Sequence, residues 1–257
     1  MTNFQFLQKY QKLQYSIMYD ELIDLSFAVI GYSKIDPSPF WNNALTKLNL
    51  SDEQISEIEN KLHLVDRKST LYFEHCSDLE KLANSLQSKG YVKNFEDCWQ
   101  FWNGLQIDEK HFESVRKVTT EQELEVFLQT FDNCYKKDDP QNPYGELGDY
   151  LKVAKEAWHK HNQSNRLEYF VVFKGDKPIS VSTLTNYEGI GYISNVGSLR
   201  EVRGQGYGKA ATLYCVSQSI KNKNEEHCLA TEEGHYPNTF YQQIGFSTRF
   251  SAVGYTK

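Results

Sequence analysis

The chain has 257 residues, 39% hydrophobic and 14% aromatic, enough for one large domain or two of roughly 100–150 residues with packed cores. A formal net charge of −6, from 28 basic and 34 acidic residues, argues against a nucleic-acid groove, which needs clustered Lys and Arg to neutralise phosphates. No apolar run approaches the ~20 residues of a membrane span, no secretion signal opens the chain, and five cysteines without a Cys-x-x-Cys pair read as reduced thiols, so a cytoplasmic protein without membrane or nucleic-acid partners is expected.

In chain order, residues 25–31 read as a strand and 51–62 as a helix, with Ser51 as its cap and Gln54 completing a capping box. A strand at 70–74, a helix at 78–88 and a strand at 98–102 follow. The pattern then becomes clearer. Residues 112–118 are strand-like, and Thr119-Thr120 caps a helix from 121 to about 135 with Leu124, Phe127, Leu128 and Phe131 on one face. Pro140, Pro143 and Gly145 mark a loop over 136–148, and Asp149 can cap a second helix through 159. Residues 166–174 and 178–186 form a hairpin about Lys174-Gly175-Asp176-Lys177. A strand at 190–199, a glycine turn and helix over 204–221, a strand at 226–232, a short helix at 237–243 and strands at 244–250 and 252–256 complete the chain. The expected division is a first domain over 1–111 and a second over 112–257.

The turn Arg203-Gly204-Gln205-Gly206-Tyr207-Gly208-Lys209 carries the most chemistry. Glycine lets successive backbone N–H groups point into one concavity, and the following helix adds its unpaired N–H groups and positive dipole end. That pattern reads as a diphosphate cradle, with Arg203 and Lys209 either adding positive charge or standing as solvated side chains; a glycine-rich turn used only for tight packing is the alternative. A P-loop is excluded, because Arg203 stands where its first Gly belongs and Ala210 replaces the magnesium-binding hydroxyl. A dinucleotide fingerprint is excluded because Gly204-x-Gly206-x-Gly208 is one residue short. His75-Cys76, His227-Cys228 and His159-Lys160-His161 lack zinc spacing, so no metal site is expected.

The pattern Arg203-Gly204-Gln205-Gly206-Tyr207-Gly208 resembles the coenzyme A loop of the GNAT superfamily of N-acetyltransferases. The later run Phe240-Tyr241-Gln242-Gln243-Ile244-Gly245-Phe246 is similar to that superfamily's closing helix-to-strand motif, and the strand-like Cys228-Leu229-Ala230-Thr231 lies between the two. The resemblance covers about residues 112–257. It implies an α/β (α+β) fold with a mixed, mostly antiparallel central sheet flanked by helices, the acyl-CoA N-acyltransferase fold, and acetyl-CoA as cosubstrate without a metal. It further implies that the pantetheine arm pairs with the main chain of Val196 and Ser198, and that Tyr241 protonates the leaving thiolate. Gly197 between them is open to two readings, a bulge or close backbone approach and a simple irregularity. For the general base, Glu232 and Glu233 are nearest by topology, with His235 and Glu188 as weaker candidates. One departure is that Gly234 stands where many members carry Asn seven residues before the motif Tyr; Asn238 lies three residues before it.

The first half holds a faint echo. Leu86-Gln87-Ser88-Lys89-Gly90-Tyr91 with Phe95 parallels Tyr241 through Phe246 with Phe250, and both the Gly pair and the Phe pair are 155 positions apart. Two readings stand: a decayed second copy of the same fold, inactive because it has no glycine turn and Leu86 replaces Tyr241, or an unrelated helical cap. The implied activity is direct acetyl transfer from acetyl-CoA to a small-molecule or peptide amine, with a non-catalytic acyl-CoA-binding sensor or scaffold as the alternative. An aminoacyl transferase of paired domains would not need the intact turn. Asp138, Asp139, Glu146 and Asp149 are acidic groups that could attract a cationic amine or form a solvated acidic loop.

Overall fold

Thr2 starts the first helix, α1 (Asn3–Gln14), through a reciprocal capping box with Gln5. The sequence pattern does not announce this helix, because buried Gln11 and Gln14 sit among Phe6, Leu7, Tyr10 and Leu13 and blur the apolar stripe. The computed structural model describes residues 1–142 and 145–257, so Pro143, one of the expected loop markers, lies outside the described residues. The chain forms two compact units, Met1–Trp99 with Thr248–Lys257, and Gln100–Ser247.

In the first unit, β1 (Glu21–Leu25) and β2 (Ala28–Tyr32) form a tight antiparallel hairpin with Leu25 opposite Ala28. The single strand expected at 25–31 is thus two strands broken at Ser26-Phe27. β1 is largely solvent-facing, and its polar Glu21 and Asp24 conceal it in the sequence. β2 pairs antiparallel with β3 (Asn42–Leu45), and β3 runs parallel to β4 (Thr70–Glu74). The crossover between the parallel strands is α2 (Asp52–Leu64), capped by Ser51 and Gln54 as the spacing predicts. A 3-10 turn, Ser77–Leu79, leads into α3 (Glu80–Ser88), and β5 (Val92–Trp102) follows, six residues longer at its start than expected. Ile55, Ile58 and Leu62 of α2 pack with Leu71, Phe73, Leu82 and Leu86.

In the second unit the strand expected at 112–118 is a 3-10 turn, Phe112–Ser114, followed by the short β6 (Val115–Lys117). α4 (Glu121–Cys134) is capped by Thr120 with Glu123 closing the box. Asp149 stands at the N-cap of α5 (Tyr150–His161), but its carboxylate bonds Lys152 Nζ (2.7 Å) and makes no capping bond. The hairpin β7 (Leu167–Lys174) and β8 (Lys177–Tyr187) turns at Gly175-Asp176, and β9 (Ile190–Ser198) adds antiparallel to β8. α6 (Tyr207–Lys221) then crosses to β10 (Glu226–Glu232), which lies parallel to β9. α7 (Tyr236–Gln243) precedes β11 (Phe246–Thr256), one continuous strand where two were expected, because Ser251 stays in the extended run. Phe170, Val172, Ile179, Leu184 and Ile193 of the sheet pack under Ala211, Cys215 and Val216 of α6.

Both units repeat one order: a hairpin, a third strand, a crossover helix, a parallel strand, a second helix, a left-handed glycine and a strand. Gly90 (φ +86°) and Gly245 (φ +114°) end α3 and α7 in the same left-handed way, which is what the echo in the sequence records. A Cβ on Gly245 would also lie 2.7 Å from the Trp102 ring, so glycine is required there twice over. Among the described residues no helix is long and apolar enough to cross a membrane.

The last strand belongs to the first unit, where Ala252–Thr256 pairs antiparallel with residues 70–74 of β4 and buries Val253 and Tyr255 in the same cluster as α2 and α3. Truncation after Ser251 is expected to leave β4 with an unpaired edge and make residues 1–99 cleavable by trypsin. Limited proteolysis with mass mapping checks this.

Candidate functional site

Nothing caps α6 at its start. Gly206 is the N-cap with φ +92°, it has no side chain to offer, and the first main-chain bond of the helix is Ala210 N to Gly206 O at 2.9 Å. The N–H groups of Gly206, Tyr207, Gly208 and Lys209 have no hydrogen-bond partner among the described residues. Gly204, with φ +75°, has open space where a Cβ would stand. These N–H groups with the positive helix end form a cradle whose donors want an anion. α2 has the same place in the first unit and the opposite chemistry: a capping box satisfies the Ser51 and Gln54 N–H groups, and Asp52 and Glu53 put negative charge in its first turn.

The strands on either side of α6 part at the same end. The parallel ladder of β9 and β10 runs from Ile190↔Glu226 to Tyr192↔Cys228 and stops there, although the strands continue to Ser198 and Glu232. β9 bulges just beyond, where its register with β8 shifts between Val181 and Thr183 and Asn195 turns left-handed (φ +53°). Gly197 is explained by packing: a Cβ there would lie 2.6 Å from Cys134 Cβ at the end of α4. Gly197 thus borders the bulge, and what packs against it is the Cys134 side chain and not another backbone.

The expected site residues fall around this opening in different ways. Val196 and Ser198 lie on β9 past the end of the ladder. The Val196 carbonyl accepts from Tyr135 Oη (3.0 Å), and Ser198 Oγ bonds Ser180 Oγ (2.8 Å). Gln205 is held three ways: its Oε1 accepts from Lys174 Nζ (2.9 Å), its Nε2 donates to Glu201 O (3.0 Å), and its carbonyl lies 3.3 Å from His111 Nε2. A carbonyl only accepts, so that imidazole carries its proton on Nε2. The same imidazole stacks on Tyr207 with ring centroids 4.5 Å apart. Lys209 pairs with Asp108 (2.8 Å).

Arg203 does not project freely as a charge. Its Nη1 donates to Asp139 Oδ1 (2.8 Å), its Nη2 to Asp139 Oδ2, and its Nε to Ser198 O (3.3 Å). Arg200 reaches Asp138 (3.0 Å) and stands 3.6 Å from Asp139. Asp138 and Asp139 are therefore matched by arginines of the same unit rather than presented to a cationic amine, and Asp149 is paired with Lys152. Hydrogen bonding from Arg203 draws the Asp139 carboxyl from 3.8 down to about 2, against the opposing effect of its burial.

Tyr241 is 8% exposed, edge-on to Phe240 (5.0 Å) and Phe246 (5.9 Å). Glu232 ends β10 on the open side, 3.9 Å from His235 Nε2, and Glu233 is exposed beside it. Glu188 lies in the turn before β9, at the opposite end of that strand from the bulge, and so drops out as a base. Asn238 is buried and occupied: its Nδ2 donates to Thr231 Oγ1 (3.3 Å), its Oδ1 accepts from Gln242 (3.0 Å), and its carbonyl accepts from Gln100 Nε2 (3.2 Å). Burial pushes the Cys134 and Cys215 thiols up to about 12. Among the described residues no group of three or more His, Cys, Asp or Glu side chains could hold a metal ion.

Residues 125–246 match the family model of the acetyltransferase (GNAT) family. The fold is similar to that of a GCN5-related N-acetyltransferase from Kribbella flavida, with a TM-score of 0.67 over 98% of this chain and 94% of that one at 15% identity. A functionally unknown conserved protein from Staphylococcus epidermidis gives 0.65 over 94% of each chain, also at 15% identity. A tandem GNAT protein from the clavulanic acid biosynthesis pathway gives 0.55 over 90% of this chain and 78% of that one at 12% identity. No curated protein matches the sequence. At these identities the structural likenesses speak for the fold, and they extend it to the first unit.

Because the Asp139 carboxyl is depressed in the folded chain, its contribution is fully present above about pH 4 and is lost as pH falls toward 2. Asp139→Asn is expected to cost about 2 kcal/mol at pH 7, with the difference from the unsubstituted protein closing between about pH 4 and pH 2. Urea denaturation across that range, followed in the second unit, checks it.

Proposed function

We propose that this chain, which belongs to the acetyltransferase (GNAT) family through residues 125–246, moves the acetyl group of acetyl-CoA directly to a primary amine. The observation that carries the reading is the coincidence of two features at one end of one parallel strand pair: the uncapped start of α6 and the early end of the β9–β10 ladder. An anion fits the first, since four successive N–H groups there lack partners. An extended amide-bearing arm fits the second, where main chain is left beside an incomplete ladder.

In this reading the N–H groups from Gly206 to Lys209 hold the diphosphate within the turn over residues 203–209, and the main chain at Val196 and Ser198 lines the pantetheine arm. A backbone N–H near Val196 polarises the acetyl carbonyl as charge develops on its oxygen. The bound thioester supplies the activated acyl group. Glu232 or Glu233, at the open end of β10, takes the proton from the amine, directly or through water. A lysine-like amine of pKa ~10.4 is mostly protonated at neutral pH and needs such a base. Tyr241 returns a proton to the departing thiolate. Cys134, packed against Gly197, is held protonated at neutral pH by burial, which supports transfer without an acyl-enzyme. The burial of the Tyr241 ring among Phe240 and Phe246 favours one rival, a module that binds acyl-CoA without turnover.

Calorimetry with acetyl-CoA is expected to show one site per chain. Gly206→Asp is expected to weaken binding by more than about tenfold, since it adds a carboxylate to the cradle and a side chain at positive φ. Absence of heat with the unsubstituted protein would remove the reading. Tyr241→Phe is expected to lower kcat about a hundredfold with the acetyl-CoA affinity kept. The measurement is thiol release across a panel of amines, polyamines, amino acids and peptides, and a flat panel despite tight binding leaves the non-catalytic module.

A further inference from the structure

Three glycines within residues 204–208 give the cradle its open main chain and also make it the segment that loses most freedom on ordering. Convergent N–H groups therefore need an outside tie. The ties present include Lys174 and His111 on Gln205, His111 on Tyr207, Asp108 on Lys209 and, before the first glycine, Asp139 on Arg203. The last is the strongest by geometry. Asp139 is 4% exposed, and its carboxylate accepts a two-pronged bond from Arg203 and a bond from Gln141 N (3.0 Å), with Arg200 at 3.6 Å. Three of the five guanidinium N–H donors of Arg203 are taken by Asp139 and Ser198 O, so the plane of that side chain is fixed from both sides.

The segment that supplies Asp139 is tied to β9 as well. It follows α4, whose Cys134 fills the space left by Gly197 and whose following residue, Tyr135, bonds the Val196 carbonyl. Two contacts on the bulge and one on the turn thus come from a single stretch, residues 134–139. Those contacts hold both parts that the cofactor would touch. The arginine of the loop motif, expected to add charge toward the diphosphate, points into this stretch instead.

We propose that Asp139 is a positioning residue for coenzyme A: it holds Arg203, and through it the glycine turn, in the conformation that receives the diphosphate, while Arg203 itself acts as a structural tie and not as a phosphate ligand. The inference rests on the reading of the turn as a coenzyme A cradle. Nothing in the sequence joins the two residues, which are 64 positions apart.

The test is a double-variant cycle on the full chain, read as the dissociation constant for coenzyme A by calorimetry at pH 7.5. Asp139→Asn and Arg203→Gln are each expected to weaken binding on the order of tenfold, a typical effect of a misplaced binding group. The double variant is expected to bind no more weakly than either single one. Asp139→Glu is expected to recover part of the loss. With acetyl-CoA, KM is expected to rise in Asp139→Asn far more than kcat falls. A further loss in the double variant would mean that Arg203 contacts the diphosphate, which overturns the proposal. Equal or tighter binding by Asp139→Asn overturns it too, and leaves the coenzyme A reading standing. No binding by the unsubstituted protein overturns both. Should Asp139→Asn fail to fold, Arg203→Lys, which keeps the charge and loses the fork, replaces it in the same measurement.

Discussion

The candidate site depends on a parallel ladder that ends early. β9 and β10 share three residue pairs and then continue without pairing with each other, and the helix that connects them begins at that end. A right-handed strand–helix–strand crossover puts the start of its helix beside the C-terminal end of the first strand. The unpartnered N–H groups of the helix start and the place where the two strands stop pairing with each other therefore meet. Polar main chain is costly to leave unpaired away from water, and an anionic group at the helix start would satisfy those N–H groups.

The two units show how little topology says about such a site. α2 and α6 occupy the same position in the same order of elements. A capping box of Ser51 and Gln54 satisfies two N–H groups at the start of α2 and Asp52 and Glu53 make its first turn negative, whereas Gly206 leaves α6 uncapped. Leu86 is buried in the core of the first unit at the position that Tyr241 holds in the second. Helix-start chemistry, not the arrangement of strands, separates a unit that could receive a phosphate from one that could not.

The charged residues near the turn illustrate the same point from the side of electrostatics. In the sequence Arg203 and Lys209 read as added positive charge at the turn, and Asp138 and Asp139 as acids that could attract a cationic amine or form a solvated loop. In the folded chain each has a partner of opposite charge, and the positive field at the turn is left to main-chain N–H groups. Such dipoles cost no desolvation of a full charge and are set in place before a ligand arrives.

The sequence by itself determined the features that arise within a few residues of one another. These are the capping boxes of Ser51 and Thr120, the hairpin turn at Gly175-Asp176, the left-handed stops at Gly90 and Gly245, and the glycine turn before α6. Each is specified by side chains three or four positions apart, or by a φ that glycine alone adopts readily. The sequence could not show α1, whose apolar stripe is interrupted by buried glutamines, or the exposed strand β1. Only the tertiary structure decided that the last strand serves the first unit, that Asp139 answers Arg203, and that His111 and Lys174 steady Gln205. Those contacts join residues tens to more than a hundred positions apart. Composition and periodicity are silent about which strand edges and loops the fold will bring together, so such pairings exist only once the chain has closed on itself.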